Sequence, residues 1–132
     1  MKKITIFLLA VFCLGMIGCS KDAEVEAFIT EFDAVSKEMV TKLEANPGSQ
    51  GIDDAQKAFD GKKDSLKTKF NAFKDARGVQ VGEATQKKLT DSITNNGKAL
   101  TDVMTKNAMK FQPGDIPKFQ KLIKDYTDTF TM

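Results

Sequence analysis

The sequence contains no histidine, no tryptophan and only two cysteines in 132 residues. Without histidine there is no base for Ser-His-Asp or Cys-His nucleophilic catalysis, and neither histidine-ligated haem nor a Glu-x-x-His di-iron site can form. Structural zinc lacks its usual ligands, and neither a phosphate-binding glycine motif nor an EF-hand spacing occurs. These absences exclude most enzyme classes, so we expect a protein that is not an enzyme and carries no cofactor or metal.

Arginine is nearly absent as well, since Arg77 is its single occurrence. Lys2 and Lys3 are two of the 20 basic residues, and none of the 18 acidic residues lies among the first eighteen. The rest of the chain is therefore electrically balanced, with no basic stripe that would attract a phosphate backbone. We expect no nucleic-acid partner.

The first eighteen residues have the layout of an export signal. Lys2 and Lys3 precede a charge-free apolar run from Ile4 to Ile17. As a helix this run would span about 21 Å at about 1.5 Å per residue, which is short for a hydrocarbon core of about 30 Å. Its length and flanks are typical of a signal peptide rather than a spanning helix. We predict that residues 1–18 are cleaved during export.

The end of the leader, Met16-Ile17-Gly18-Cys19, resembles the lipobox of bacterial lipoproteins, in which apolar residues and a small residue precede an invariant cysteine. Gly18 fits the small site, whereas Met16 stands where leucine is usual. The resemblance covers the leader alone and implies that Cys19 carries acyl chains such as palmitate, of which two or more anchor a protein stably to a bilayer. The alternative is ordinary secretory cleavage near Gly18, which would leave Cys19 as a free thiol.

Cys13 lies inside the leader, so Cys19 is the one cysteine of the mature chain and no internal disulfide can form. Residues 19–22 are predicted to be the lipidated N-terminus and a short tether, roughly 10 Å long if extended. Ser20 follows the cysteine where aspartate would favour the inner membrane of enteric-type bacteria, so we expect the outer membrane of the cell envelope. Whether the protein faces the periplasm or the surface stays open.

Residues 23–132 have the length of one domain and predict an all-α fold. Apolar residues recur every three or four positions over 22–45, which indicates an amphipathic helix that Asn46-Pro47-Gly48 ends. A polar loop over 48–52 is predicted to lead to a second helix, capped by Asp53 or Asp54, interrupted at a turn at Lys62-Lys63 and stopping at Arg77-Gly78. The predicted buried positions of these two helices are Val25, Phe28, Ile29, Phe32, Val35, Met39 and Leu43, then Ala55, Phe59, Leu66, Phe70 and Phe73.

A third helix is predicted from Glu83 to about Phe111, with Asn95-Asn96-Gly97 as a candidate kink. Asp115 is the predicted cap of a fourth helix, in whose first turn Pro117 is tolerated. The predicted buried positions are Leu89, Ile93, Leu100, Val103, Met104, Ala108 and Phe111, then Ile116, Phe119, Leu122, Ile123, Tyr126 and Phe130. Short loops between the helices favour an antiparallel up-and-down bundle of four helices, with a three-helix bundle and a loosely packed fourth piece as the alternative.

Three sets of residues in the mature chain are candidate sites. The carboxylate pairs Asp60 with Asp64 and Asp53 with Asp54 lie among lysines, which is more typical of a solvated helix face than of an acid pair. The threonines of the third helix form a polar stripe that is either a recognition face or a solvated one. They are Thr85, Thr90, Thr94, Thr101 and Thr105.

Eight phenylalanines remain after the leader, all at helix-inward spacings. They are Phe28, Phe32, Phe59, Phe70, Phe73, Phe111, Phe119 and Phe130. We expect them to fill a packed core, and the alternative is that they line a cavity for an apolar molecule. The sequence thus predicts a membrane-anchored envelope protein that binds another protein or has a structural role. The competing hypothesis is a carrier or sensor of a lipid or other apolar ligand.

Overall fold

The computed structural model describes residues 20–76 and 80–130, so the leader and the predictions on Cys19 lie outside the described residues. Within these two ranges the fold is all-α, as predicted, and contains no strand. A short 3-10 helix at Ala108–Lys110 precedes the last helix. The four helices are α1 (Asp22–Ala45), α2 (Ser49–Phe73), α3 (Glu83–Lys106) and α4 (Asp115–Asp128).

Helix α1 confirms the sequence prediction in both its bounds and its buried face. All seven apolar positions predicted to face inward are buried, and Ser36 is buried with them. Asp22 and Glu24 lie in the first turn, where the helix dipole stabilises negative charge. The apolar spacing alone was enough here because the helix lies at the centre of the bundle and buries one continuous stripe.

The beginning of α2 corrects the prediction. There is no loop over residues 48–52, since the helix already begins at Ser49, and Asp53 and Asp54 are therefore not its caps. Gly48 has a φ of +156°, which residues with a side chain rarely adopt. A Cβ on Gly51 would lie only 1.9 Å from the carbonyl oxygen of Asn46, so glycine permits the first turn of α2 to touch the end of α1. The predicted α2 stripe is buried as expected. The helix runs through Lys62-Lys63 without the predicted interruption and ends at Phe73, four residues before the predicted stop.

Helix α3 is shorter than predicted and does not break at its glycine. It runs without interruption through Gly97 and ends at Lys106, about one turn before the predicted end. Two positions predicted to be buried are exposed: Ile93 is 41% exposed, and Ala108 lies on the surface in the 3-10 helix. Three more, Leu89, Met104 and Phe111, are half-buried, so only Leu100 and Val103 are buried as predicted. Thr85 and Ser92 are buried on this helix instead.

Helix α4 begins at Asp115, but the predicted cap differs in detail. Asp115 is the first helical residue, and its carboxylate accepts a hydrogen bond from the N–H of Gln112 at 2.8 Å, which closes the preceding turn. Pro117 lies in the first turn, where its missing N–H costs nothing. Ile116 was predicted to be buried and is 41% exposed.

The helix directions alternate along the chain, so the predicted up-and-down bundle is confirmed. α1 and α2 are antiparallel neighbours joined by residues 46–48. Lys88 near the start of α3 pairs with Glu26 near the start of α1 at 2.6 Å, so these two helices run parallel. Lys118 near the start of α4 likewise pairs with Asp53 of α2 at 3.3 Å. α3 therefore packs on α1 and α4 on α2, and a groove separates α3 from α4.

Candidate functional site

The first described residues, which follow the predicted lipid attachment point in the sequence, lie at one end of the bundle, here called the base. The base consists of the first turn of α1, the end of α2 and the start of α3. The N–H of Lys21 donates to the carbonyl oxygen of Gln80 at 2.6 Å, and the carboxylate of Asp22 accepts from the N–H of Gly82 at 2.9 Å. Two hydrogen bonds thus join the N-terminal chain to the connector before α3.

Ser20 extends this junction by one more residue. Its hydroxyl donates to the carboxylate of Asp22 at 3.0 Å and accepts from the N–H of the same residue at 3.3 Å. The hydrogen bond from Gly82, followed by that from Ser20, lowers the pKa of Asp22, so the carboxylate is ionised and hydrogen-bonded at neutral pH. No extended chain lies between Ser20 and α1, since the helix begins two residues later at Asp22.

A cavity of about 300 Å³ opens at the base, between α1, the end of α2 and the start of α3. Phe130, just after α4, packs against Phe28 and Phe70 at ring-centroid distances of 5.4 and 5.9 Å, and Phe70 also lines the cavity. The apolar residues lining the cavity are Val25, Phe70, Phe73, Ala76, Val81 and Leu89.

The phenylalanine stripe forms a packed core. Phe28 stacks on Phe32 at 5.3 Å, and Phe130 meets both rings edge to face at 5.4 and 5.0 Å. Such geometries are favourable for aromatic pairs and leave no room between the rings. Six of the eight phenylalanines are buried, and Phe111 and Phe130 are half-buried. The rings fill the interior and do not enclose a ligand there.

The carboxylate pairs lie on the solvated surface, as the charge pattern indicated. Asp53 pairs with Lys118 across helices, and Asp60 accepts a hydrogen bond from Gln56 one turn earlier, at 3.0 Å. Among residues 20–76 and 80–130, no group of three or more acidic, histidine or cysteine side chains is placed to hold a metal ion. The pairs are parts of the charged surface of α2.

The threonine stripe is divided by the fold. Thr85 is buried at the base, whereas the other four threonines are exposed. The hydroxyls of Thr90, Thr101 and Thr105 each donate to the carbonyl oxygen four residues earlier, at 3.0–3.2 Å. Because these hydroxyls already have partners on their own helix, they have less to offer a binding partner.

The polar contacts between helices were not predicted from the sequence. Ser36 of α1 and Tyr126 of α4 share a buried hydrogen bond of 2.7 Å, and burial raises the pKa of Tyr126. Between α1 and α2, a hydrogen bond from Lys69 is the main cause of a lowered pKa at Glu31. Because Ser36 lies four residues after Phe32, the helical spacing could have predicted that it is buried. Nothing in the sequence identifies Tyr126 as its hydrogen-bond partner.

Comparison with known proteins finds no matching protein-family model, no matching curated protein and no matching solved structure. Across the described ranges, none of the helices is long and apolar enough to cross a membrane.

Proposed function

We propose that this protein is an exported lipoprotein of the bacterial envelope, acylated on Cys19, whose body is a non-enzymatic module that binds another protein or has a structural role. Cleavage before Cys19 removes the leader, and the acyl chains hold the mature protein on the bilayer, in the outer membrane. The bundle then presents its other end, here called the tip, to the surroundings. The tip consists of the loop at residues 46–48, the 3-10 helix and the start of α4.

The observation that carries this proposal is the junction at the base. Lys21 and Asp22 are hydrogen-bonded to the connector before α3, at 2.6 and 2.9 Å, immediately after the predicted acylation site. An acyl chain on Cys19 would therefore hold the base directly against the membrane surface. α1, with 24 residues, would then extend the tip about 36 Å outward at about 1.5 Å per residue.

The tip has the features of a surface for a protein partner. Of the three large hydrophobic side chains that are exposed among the described residues, Met109 and Ile116 both lie there, Met109 fully exposed and Ile116 41% exposed. Contiguous apolar patches rimmed by polar residues are typical of protein-binding surfaces, and we propose that Met109 and Ile116 belong to one such patch. The partner would meet the end of the bundle that is farthest from the anchor.

Acylation is tested by metabolic labelling with a palmitate analogue, followed by fractionation of the cells. We expect the wild-type protein to be labelled and to stay with the membranes after a high-pH wash. Cys19→Ser should lose both properties. Cys13→Ser is the matched control and should keep both, because that cysteine is removed with the leader. Membrane retention without label in the wild-type protein would contradict the proposal.

Protein binding is tested by cross-linking in intact envelopes, followed by mass analysis of the adduct. We expect one reproducible adduct, whose yield falls several-fold in Ile116→Glu at the tip. Ile93→Glu is the matched control, because Ile93 is also 41% exposed but lies in the middle of α3. An adduct that persists in Ile116→Glu would place the partner elsewhere, and absence of any adduct would contradict the binding role.

A further inference from the structure

We propose that the first half of α3, residues 83–96, opens as a gate by bending away from α1 at Gly97, while the rest of the bundle stays folded. This segment, here called the gate, forms one wall of the cavity at the base through Gln86 and Leu89. Opening of the gate would therefore widen the entrance to that cavity. The inference does not depend on acylation of Cys19, because it rests on the contacts between α1 and α3.

The two halves of α3 differ in what they bury. The gate has no buried apolar side chain, since its buried residues are Thr85 and Ser92 and its Leu89 is half-buried. In the second half, Leu100 and Val103 are both buried in the core. A segment with few buried apolar contacts opens at a lower free energy than the rest of a protein. Hydrophobic packing therefore holds the second half of the helix in place and leaves the gate more easily released.

Polar contacts hold the gate on α1. Each joins a carboxylate of α1 to a polar group on the gate or directly before it. They pair Asp22 with Gly82 at 2.9 Å, Glu26 with Lys88 at 2.6 Å, and Asp33 with Ser92 and with Asn96, the last at 2.6 Å. The side chains of Glu26 and Lys88 are 44% and 60% exposed, so water replaces either partner when they separate. Contacts of this kind orient the gate but stabilise it less than a buried apolar face would.

The surroundings leave the gate room to move. α3 packs on α1, and a groove of about 510 Å³, which Ile93 lines, separates it from α4. Next to α1, Leu89 of the gate borders the cavity of about 300 Å³, so part of the inner face of the gate lacks packing partners. Bending of the gate away from α1 therefore breaks few apolar contacts.

Gly97 lies between the two halves of α3 and provides the hinge. Glycine is unfavourable in the interior of a helix, and a Cβ built at Gly97 meets nothing within 4 Å, so no close approach of another element requires glycine there. Asn95 and Asn96, which precede it, also have low helix propensity. The helix is continuous in the closed position, but its backbone is least costly to bend at this point.

Native-state hydrogen exchange tests the inference residue by residue, on the complete mature chain with Cys19→Ser. We expect the amides of residues 87–96 to exchange about tenfold or more faster than those of residues 101–105, after correction for intrinsic rates. Low concentrations of urea should scarcely change the exchange of the gate amides, because a local opening exposes little new surface. The amides of residues 101–105 should instead follow global unfolding.

One pair of variants tests the contacts between the gate and α1. Asp33→Ala removes the carboxylate that binds the gate at two points, and should speed the exchange of the gate amides by about tenfold. Asp91→Ala is the matched control, because Asp91 lies on the gate itself and pairs with Lys87 one turn earlier. It should change that exchange by less than about threefold.

A second pair tests the hinge and keeps the experiment decisive if Asp33→Ala fails to fold. Gly97→Ala should slow the exchange of the gate amides by about threefold or more, because alanine disfavours the bend. Gly61→Ala is the matched control, since Gly61 is also a mid-helix glycine with nothing within 4 Å, and it should leave the gate amides unchanged because α2 stays folded when the gate opens. Equal exchange in both halves of α3, an unaffected gate in folded Asp33→Ala, or equal slowing by the two glycine variants would each overturn the inference.

Discussion

The N–H of Lys21 donates to the carbonyl oxygen of Gln80 at 2.6 Å, which joins the beginning of the described chain to the connector before α3. One residue later, the carboxylate of Asp22 accepts a second hydrogen bond from this connector, donated by the N–H of Gly82. The acyl chains that we propose for Cys19 would be attached one residue before Ser20, which is hydrogen-bonded to Asp22. Together with the predicted lipid anchor, this junction predicts how the helical bundle is oriented relative to the membrane.

The junction should loosen in acid. Asp22 has an ordinary pKa of 3.8, which the hydrogen bond from Gly82 lowers in the folded protein. A lowered folded-state pKa means that the carboxylate stabilises the fold above pH 3.8, and that this contribution is lost as the pH falls through the folded-state value. We expect the protection of the Gly82 amide against hydrogen exchange, corrected for intrinsic rates, to decrease over that range. Asp22→Asn should remove this pH dependence, and an unchanged profile in Asp22→Asn would contradict the assignment.

Gly51 in the first turn of α2 and Gly61 in its middle should respond to alanine in opposite directions. A Cβ on Gly51 would lie 1.9 Å from Asn46 O, so Gly51→Ala must push α1 and α2 apart and should cost about 1–3 kcal/mol of unfolding free energy or more. Gly61 has nothing within 4 Å, so Gly61→Ala should stabilise the protein by up to about 1 kcal/mol. Urea unfolding monitored by circular dichroism measures both. If both variants lose stability equally, the close approach at Gly51 is not real.

The buried pair of Ser36 and Tyr126 should show coupling. Tyr126→Phe leaves the hydroxyl of Ser36 buried without its partner, which should cost about 1–3 kcal/mol. Adding Ser36→Ala removes the orphaned group, so the double variant should be destabilised by less than the sum of the single ones. A double-mutant cycle from urea unfolding gives the coupling energy, and strict additivity would show that the two hydroxyls do not interact.

The sequence predicted those parts of the fold that depend on local periodicity. α1 was predicted with its bounds and its buried face, because a central helix buries one regular stripe. The start of α2 was missed because it depends on the contact between Gly51 and Asn46, which only the packed helices bring together. Ile93 was predicted to be buried because its spacing fits the stripe, but α3 packs on α1 and not on α4, which leaves this residue at the edge of the groove.

In the candidate site, too, features that depend on neighbouring residues were predicted and features that depend on packing were not. Cleavage of the leader and acylation of Cys19 are predicted from a short run of adjacent residues. The sequence alone therefore predicts that the protein is located in the cell envelope. The junction at the base combines a backbone hydrogen bond from Lys21 to Gln80 with one from Gly82 to the carboxylate of Asp22. Any residue except proline at position 21 could form the first bond, and no spacing of residues in the sequence pairs Asp22 with Gly82. Only the folded chain shows that residues 21 and 22 are held there.

The central claim is that the base stands directly on the bilayer, and energy transfer to a lipid dye tests it. Acylated protein is placed in nanodiscs that carry acceptor lipids, and a donor is attached at Lys74→Cys near the base or at Lys42→Cys near the tip. Both sites are exposed lysines, and the acylated Cys19 would not react with the label. The account predicts strong transfer from position 74 and weak transfer from position 42, since nearly the whole length of α1 separates the two ends.

A flexible Gly-Ser insert of about 20 residues between Ser20 and Lys21 provides the control, because it frees the body from the anchor and should make the two transfer efficiencies similar. Strong transfer at position 74 alone, lost on insertion, is the result that the account predicts. Equal transfer from both positions in the uninterrupted protein would contradict it, because the body would then tumble freely above the membrane.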